Sequence, residues 1–196
     1  MKKLPFILSV LILAFACDSG PEFQDATRSE LLLLNKFQDL PGYATLKLAE
    51  EKPGIPLYLC LTLVTGKDSL IIPRSEVIVY HADSSGVYNE SIRGVESTAE
   101  ISGKVRSDDL GRIYIETILP GDYPDRNDNR HIHLLIPGGN PEAYDIHFYQ
   151  FTDFFGREFI RGSGQHFTIK LRNAPGGGFV GFRKISVQEY KRARAS

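Results

Sequence analysis

The chain has 196 residues, enough for one core-bearing domain, and its 23 Lys and Arg against 24 Asp and Glu leave a formal charge of −1. That balance lacks the basic surplus on which nucleic-acid binding draws, and the terminal KRARAS reads as a solvated end rather than a patch for a polyanion. There are two cysteines, Cys17 and Cys60; Cys17 falls in the leader considered next, so no intrachain disulfide is expected and stability has to come from a core.

Residues 1–16 read as an export signal: Lys2 and Lys3 precede an apolar run from Leu4 to Phe15, broken only by Ser9. The run is shorter than the roughly 20 residues that a bilayer-spanning helix needs. Small residues lead up to Cys17 as they do in bacterial lipoprotein signals, although alanine stands at position 14 where leucine is more usual. The expectation is a chain lipidated at Cys17 and held on the cell envelope by that lipid, with a plain signal peptide or an uncleaved anchor as alternatives.

Residues 17–27 are polar, carry Gly20 and Pro21, and are expected to form a flexible tether to a single domain over 28–196. TRSELLLLNKFQDLPG then offers Thr27 or Ser29 as an N-cap, an apolar run, and Pro41-Gly42 as a stop, which predicts one short helix. Beyond Gly54 the texture changes to short apolar or alternating runs rich in Val, Ile, Tyr and Thr, divided by Gly, Pro, Asp and Asn. Strands are predicted over Leu57–Thr65, Glu76–Ala82, Gly111–Ile118, His131–Ile136, Tyr144–Phe151, His166–Leu171 and Phe179–Val187. With no helix interleaved, this pattern predicts an all-β protein, an antiparallel sandwich or barrel with a short N-terminal helix. Cys60, inside the apolar LYLCLTLV, reads as a buried inert thiol. The glycine run in PGGGFVG has strand-like sequence on both sides and reads as a hairpin loop rather than a phosphate cradle.

Two of the five histidines, His131 and His133, share one predicted strand. Side chains at i and i+2 of a strand leave the same face, with Cα atoms about 6.5–7 Å apart, so both imidazoles can reach one metal ion. Taken alone, such a pair is a weak signal and is more often two ordinary surface or core histidines. Tyr123 ends TILPGDYP, where Pro120-Gly121 turns the chain and Pro124 forces an extended path, and it can either add an anionic oxygen ligand or pack its ring at a strand end.

The segments KPGIPLYLCLTLV, VIVYHADSSGVY, SDDLGRIYIETILPGDYP and HIHLLI, in this order and spacing, resemble the core of the intradiol ring-cleavage dioxygenases, relatives of catechol 1,2-dioxygenase and protocatechuate 3,4-dioxygenase. The likeness spans residues 52–152, with a weaker continuation to 187. It implies an antiparallel β-sandwich holding one Fe(III), with Tyr88 and Tyr123 as tyrosinate ligands and His131 and His133 as histidine ligands. It further implies that a catechol-type diol is opened by O2 between its two hydroxylated carbons to a muconate-type dicarboxylate. In that chemistry Tyr123 leaves the iron and serves as base, while Tyr88, His131 and His133 stay in place. Hard anionic oxygens suit a trivalent ion and imidazole also suits iron. A free tyrosine, of pKa about 10, ionises at neutral pH only beside such a cation.

Three positions depart from the family. Asp128 stands where an arginine usually precedes the first histidine, with Arg126 and Arg130 flanking it as substitutes that can stabilise charge on the substrate. His147 stands where a glutamine usually follows the second, and becomes a candidate for contact with substrate or iron. Tyr80 replaces a common tryptophan and keeps an aromatic ring. His81 is expected to pack or to cap a hydrogen bond, and His166 to open a later strand with no constellation around it. The reading is therefore an iron-dependent dioxygenase outside the cytoplasm; Asp128 favours the alternative of a non-catalytic envelope lipoprotein that binds through a retained sandwich, and a metal-free scaffold is a third possibility.

Overall fold

The computed structural model describes residues 22–123 and 130–191, so Cys17, Arg126 and Asp128 lie outside the described residues. In chain order it contains β1 (Gln24–Asp25), helix α1 (Arg28–Gln38), β2 (Thr45–Lys47), β3 (Pro56–Thr65), β4 (Glu76–His81), β5 (Ile101–Arg106) and β6 (Arg112–Ile118). There follow β7 (His131–Leu135), β8 (Gly139–Asn140), β9 (Ala143–Phe148), helix α2 (Phe154–Arg161), β10 (His166–Ile169), β11 (Arg172–Asn173), β12 (Phe179–Val187) and β13 (Glu189–Tyr190).

The main strands form two sheets. One has the order β1-β11-β12-β3-β6-β2 and the other β10-β9-β7-β4-β5, while β13 and β8 make a small ribbon. Period-2 alternation decides what lies between them. On β3, Leu57, Leu59, Leu61 and Leu63 are fully buried and meet Val77 and Val79 of β4, Ile132 and Leu134 of β7, and Ile146 and Phe148 of β9 in one core. His81 joins the two sheets with a polar contact in this apolar setting: its ring nitrogens lie 2.7 Å from the Ala82 carbonyl and 2.7 Å from Thr117 Oγ1. Burial pushes the His81 imidazole down to about 4, so it is neutral at pH 7.

The opposite faces of the two sheets carry different cargo. On the outer side of β3 and β6, Cys60 and Tyr114 pack against Leu34 and Phe37 of α1. Burial pushes the Cys60 thiol well above its ordinary value, as expected of an inert thiol. The helix starts where the sequence predicts, with Thr27 as N-cap in a capping box: Glu30 N–H donates to Thr27 Oγ1 at 3.3 Å and Thr27 N–H donates to Glu30 Oε2 at 2.8 Å. The outer side of the five-stranded sheet carries the candidate site.

Three expectations need correction. The sheets are mixed rather than antiparallel: β12 pairs parallel with β3, β2 with β6, β1 with β11 and β10 with β9. All four parallel pairs join strands that are not consecutive or, for β9 and β10, that are separated by a helix long enough to return the chain, which is what a parallel pairing requires. Of the stretch expected as a tether, the part from Phe23 packs on the domain: Phe23 stacks on Phe179 with ring centroids 4.3 Å apart and Gln24–Asp25 pair with β11, while residues 17–21 lie outside the described residues. A second helix, α2, interrupts the strand series after β9. The PGGGFVG loop does connect a hairpin, between β11 and β12. Among the described residues no helix is long and apolar enough to cross a membrane.

Candidate metal centre

The outer face of β7 is the floor of the site. His131 and His133 leave the same side of this strand, and the pairing register adds His147 of β9 opposite His131, Asp145 of β9 opposite His133, and Tyr80 of β4 opposite His133. His166 of β10 lies opposite Asp145 in the next strand. The Tyr80 ring stacks on that of His133 with centroids 4.6 Å apart, and His147 stacks on His131 at 5.2 Å, so both imidazoles are clamped by aromatic neighbours.

Two loops bring the tyrosines down onto this floor. The loop after β4 is wound by Asp83, whose Oδ1 accepts from the backbone N–H of Ser85 at 2.8 Å and of Val87 at 3.1 Å, and Tyr88 follows directly. The loop after β6 delivers Tyr123. The two are pressed together at Gly86 and Gly121: a Cβ on Gly86, whose φ is +82°, would lie 1.9 Å from the Asp122 carbonyl oxygen, and one on Gly121 would lie 2.5 Å from that of Ser84. The Gly121 N–H donates to the Asp83 carbonyl at 2.8 Å across the same contact. Only glycine permits this approach.

The result is a closed ring of four donor atoms. Tyr88 Oη lies 2.5 Å from Tyr123 Oη and 2.8 Å from His133 Nε2; His131 Nε2 lies 3.0 Å from Tyr123 Oη and 3.0 Å from His133 Nε2. Two ligands held about 2.0–2.1 Å from one ion and at right angles to each other are about 2.9 Å apart, a separation these edges match. Asp145 completes the arrangement from behind, its Oδ1 accepting from His133 Nδ1 at 2.6 Å. A proton fixed on Nδ1 leaves the Nε2 lone pair free for a metal.

The electrostatics fit a cation. Burial pushes the Tyr88 phenol far above its ordinary value, and the hydrogen bond with Tyr123 adds to the shift; burial also raises Tyr123. With protein groups alone, then, these phenols stay protonated, and a positive charge at the centre of the ring is what would turn both into phenolate ligands. Burial works against the Asp145 carboxylate, but the hydrogen bond from His133 and the neighbouring histidines hold it below the usual carboxylate range. Two oxygens and two nitrogens converging on one point therefore suit Fe(III).

A cavity of about 590 Å³ opens beside the ring, within the range of about 300–1,000 Å³ typical of small-molecule sites. Tyr123, His131 and His133 face it, whereas Tyr88 does not; Asp145, His147 and His166 form another wall, and Phe155 and Phe159 of α2 the rim. Among its described lining residues are three carboxylates, of Glu96, Asp145 and Asp153, and no Lys or Arg.

The structure thus brings Tyr88, Tyr123, His131, His133 and His147 together. Arg130 is placed differently: its guanidinium donates to Asp122 Oδ2 from Nε at 3.0 Å and from Nη2 at 2.7 Å, lies over the Phe151 ring at 4.3 Å, and is not a lining group of the cavity. Asp145, Glu96 and His166 are site residues that sequence reasoning missed. Asp145 carries a legible signal, since it stands two residues before His147 on a predicted strand and so shares its face; His166, expected without a constellation, has one through strand register. Replacing Asp145 with asparagine is expected to keep the fold and to weaken metal binding about 10–100-fold, the effect of losing a carboxylate behind a histidine ligand. Metal titration of purified Asp145→Asn against the wild type measures this.

No protein-family model and no curated protein sequence matches the chain. Solved structures do match. The dioxygenase domain of a dioxygenase and carbohydrate-binding protein fusion from the cellulolytic bacterium Streptomyces sp. SirexAA-E aligns over 76% of this chain and 92% of its own, at 20% identity and a TM-score of 0.55. An intradiol ring-cleavage dioxygenase from Tetranychus urticae aligns over 76% of this chain and 88% of its own, at 18% identity and a TM-score of 0.54. Catechol 1,2-dioxygenase from Acinetobacter sp. ADP1 aligns over 74% of this chain and 57% of its own, at 16% identity and a TM-score of 0.54. The chain has the fold of the intradiol ring-cleavage dioxygenases.

Proposed function

We propose that the chain is an intradiol-type dioxygenase that holds Fe(III) on Tyr88, Tyr123, His131 and His133 and opens a catechol-type ring with O2 to a muconate-type dicarboxylate. The single observation that carries this reading is the four-atom ring, whose edges run from 2.5 to 3.0 Å, lying open to a cavity through Tyr123. When bound, ferric iron supplies a Lewis acid that lowers the pKa of coordinated phenols and diol oxygens and activates the diol toward O2.

The chain's own groups divide the remaining work. Tyr123 faces the cavity and Tyr88 does not, so Tyr123 is the phenol an incoming diol meets and the one positioned to accept its proton at Oη. His133, held by Asp145 and stacked on Tyr80, forms with its neighbour Tyr88 the other side of the site. Phe155 and Phe159 give the cavity mouth an apolar rim suited to an aromatic ring. His147, where the family usually has glutamine, reaches the cavity beside His131 and presents an imidazole that burial pushes down to about 4, hence a neutral group at pH 7 able to donate to or accept from the substrate. Of the two arginines that flank Asp128, Arg130 is engaged by Asp122, which leaves Arg126, outside the described residues, as the candidate for the arginine role.

The test is the visible spectrum of the ferric protein, taken before and after adding catechol without O2, followed by admission of O2. A tyrosinate-to-iron charge-transfer band that shifts with catechol and is followed by muconate formation supports the reading. A protein that retains no ferric iron overturns it, and the non-catalytic binding module then takes its place. We further propose that the chain is exported and anchored on the cell envelope by lipid at Cys17, on the strength of the leader sequence. Cys17→Ser is expected to move the protein from the membrane fraction to the soluble fraction; unchanged fractionation of the variant sinks the anchor.

A further inference from the structure

The wall of the cavity carries a second cluster of donor atoms. Asp145 and His147 leave β9 on the same face, and β10 lies parallel beside it with His166 opposite Asp145. His166 Nδ1 is 3.1 Å from His147 Nε2 and 3.3 Å from Asp145 Oδ2, and one donor atom from each of the three residues lies within 4.8 Å of the others. All three side chains are partly buried and open to the cavity.

We propose that Asp145, His147 and His166 form a second metal site, for a divalent ion of borderline softness such as Zn2+, beside the tyrosine–histidine site. Ligands about 2.0–2.1 Å from one ion in a tetrahedron are about 3.3–3.4 Å apart, and the two nearest separations here already approach that edge. Two imidazoles and one carboxylate, with a remaining position facing solvent, form a donor set that suits zinc and other first-row dications. The surroundings favour a cation: the cavity's described lining holds Glu96 and Asp153 in addition to Asp145, and no Lys or Arg.

Asp145 is already divided between the two sites. Its Oδ1 accepts from His133 Nδ1, and its Oδ2 faces His166. A dication on Oδ2 draws charge from the carboxylate and weakens its hold on the His133 proton, which makes Nε2 of that ring a poorer donor. Occupancy of the second site is therefore felt at the first, through one carboxylate and one imidazole. The site itself needs only the three residues; the coupling rests on the ferric reading given above.

The experiment adds Zn2+ to the iron-loaded protein and follows zinc stoichiometry by calorimetry, retained iron by elemental analysis, and the visible band. The wild type is expected to take up one further equivalent of zinc without losing iron, with a shift of the band. His166→Ala is expected to keep its iron and colour, which shows that it is folded, and to bind zinc at least about 100-fold more weakly. No zinc uptake by the wild type, equal uptake by His166→Ala, or uptake only as iron leaves overturns the proposal. A chain that holds no ferric iron overturns the dioxygenase reading by itself. Zinc titration of the metal-free wild type, His166→Ala and Tyr88→Phe then decides: loss of binding in His166→Ala with retention in Tyr88→Phe upholds the second site, and the reverse pattern removes it.

Discussion

Tyr88→Phe is expected to leave a folded protein that no longer retains ferric iron and has no charge-transfer colour. The change removes one oxygen and keeps the ring. Its tilted packing against Tyr123 and His133, with centroids 5.9 and 6.1 Å away, can persist. What goes is the group 2.5 Å from Tyr123 Oη and 2.8 Å from His133 Nε2. The loss of iron affinity should exceed the 10–100-fold or so that follows from losing an outer partner of a ligand. It is read as iron per chain after gel filtration and as the loss of the rise in thermal midpoint that binding gives the native state. Tyr123→Phe should behave differently. It removes the phenol that faces the cavity, so the remaining three ligands hold some iron while turnover falls by about 10²–10⁴-fold, the contribution of a positioned base. A Tyr88→Phe protein with full iron content removes Tyr88 from the ligand set.

The contrast between these two tyrosines depends on features that differ in how well the sequence shows them. Period 2 is local, so the shared face of His131 and His133 and the boundaries of β12 are legible residue by residue. Register is not local. That Asp145 lies opposite His133, and His166 opposite Asp145, follows from how three strands align, and nothing within either segment specifies it. The parallel pairing of β3 with β12 is hidden for the same reason, since the partners are separated by most of the chain. Helix α2 escaped for a different reason. Its sequence contains Gly156, and Phe154, Phe155 and Phe159 stay largely exposed, so its apolar residues do not mark a buried stripe; only Ile160 is buried. Its N-cap, Asp153, which accepts from the Gly156 N–H at 2.5 Å, was the one start signal available.

Gly86→Ala is expected to be as damaging to the site as the loss of a ligand, although residue 86 touches no metal. A methyl group here meets the Asp122 carbonyl oxygen at 1.9 Å and its carbon at 2.8 Å, which is backbone and cannot rotate aside. Either the residue abandons its φ of +82° or the two loops separate, and both outcomes pull Tyr88 away from Tyr123. Backbone strain of this kind costs about 1–3 kcal/mol by itself, and the clash adds to it. A matched control exists in Gly94, whose φ is +76° but where an added Cβ would have nothing within 4 Å. Gly94→Ala therefore carries the strain without the collision. Denaturant unfolding should show both variants less stable than the wild type, with Gly86→Ala lower than Gly94→Ala, and only Gly86→Ala should lose ferric iron. If the two variants retain iron equally, the close approach of the loops does not set the tyrosine positions, and the 2.5 Å contact between the phenols must be held by the strands beneath them.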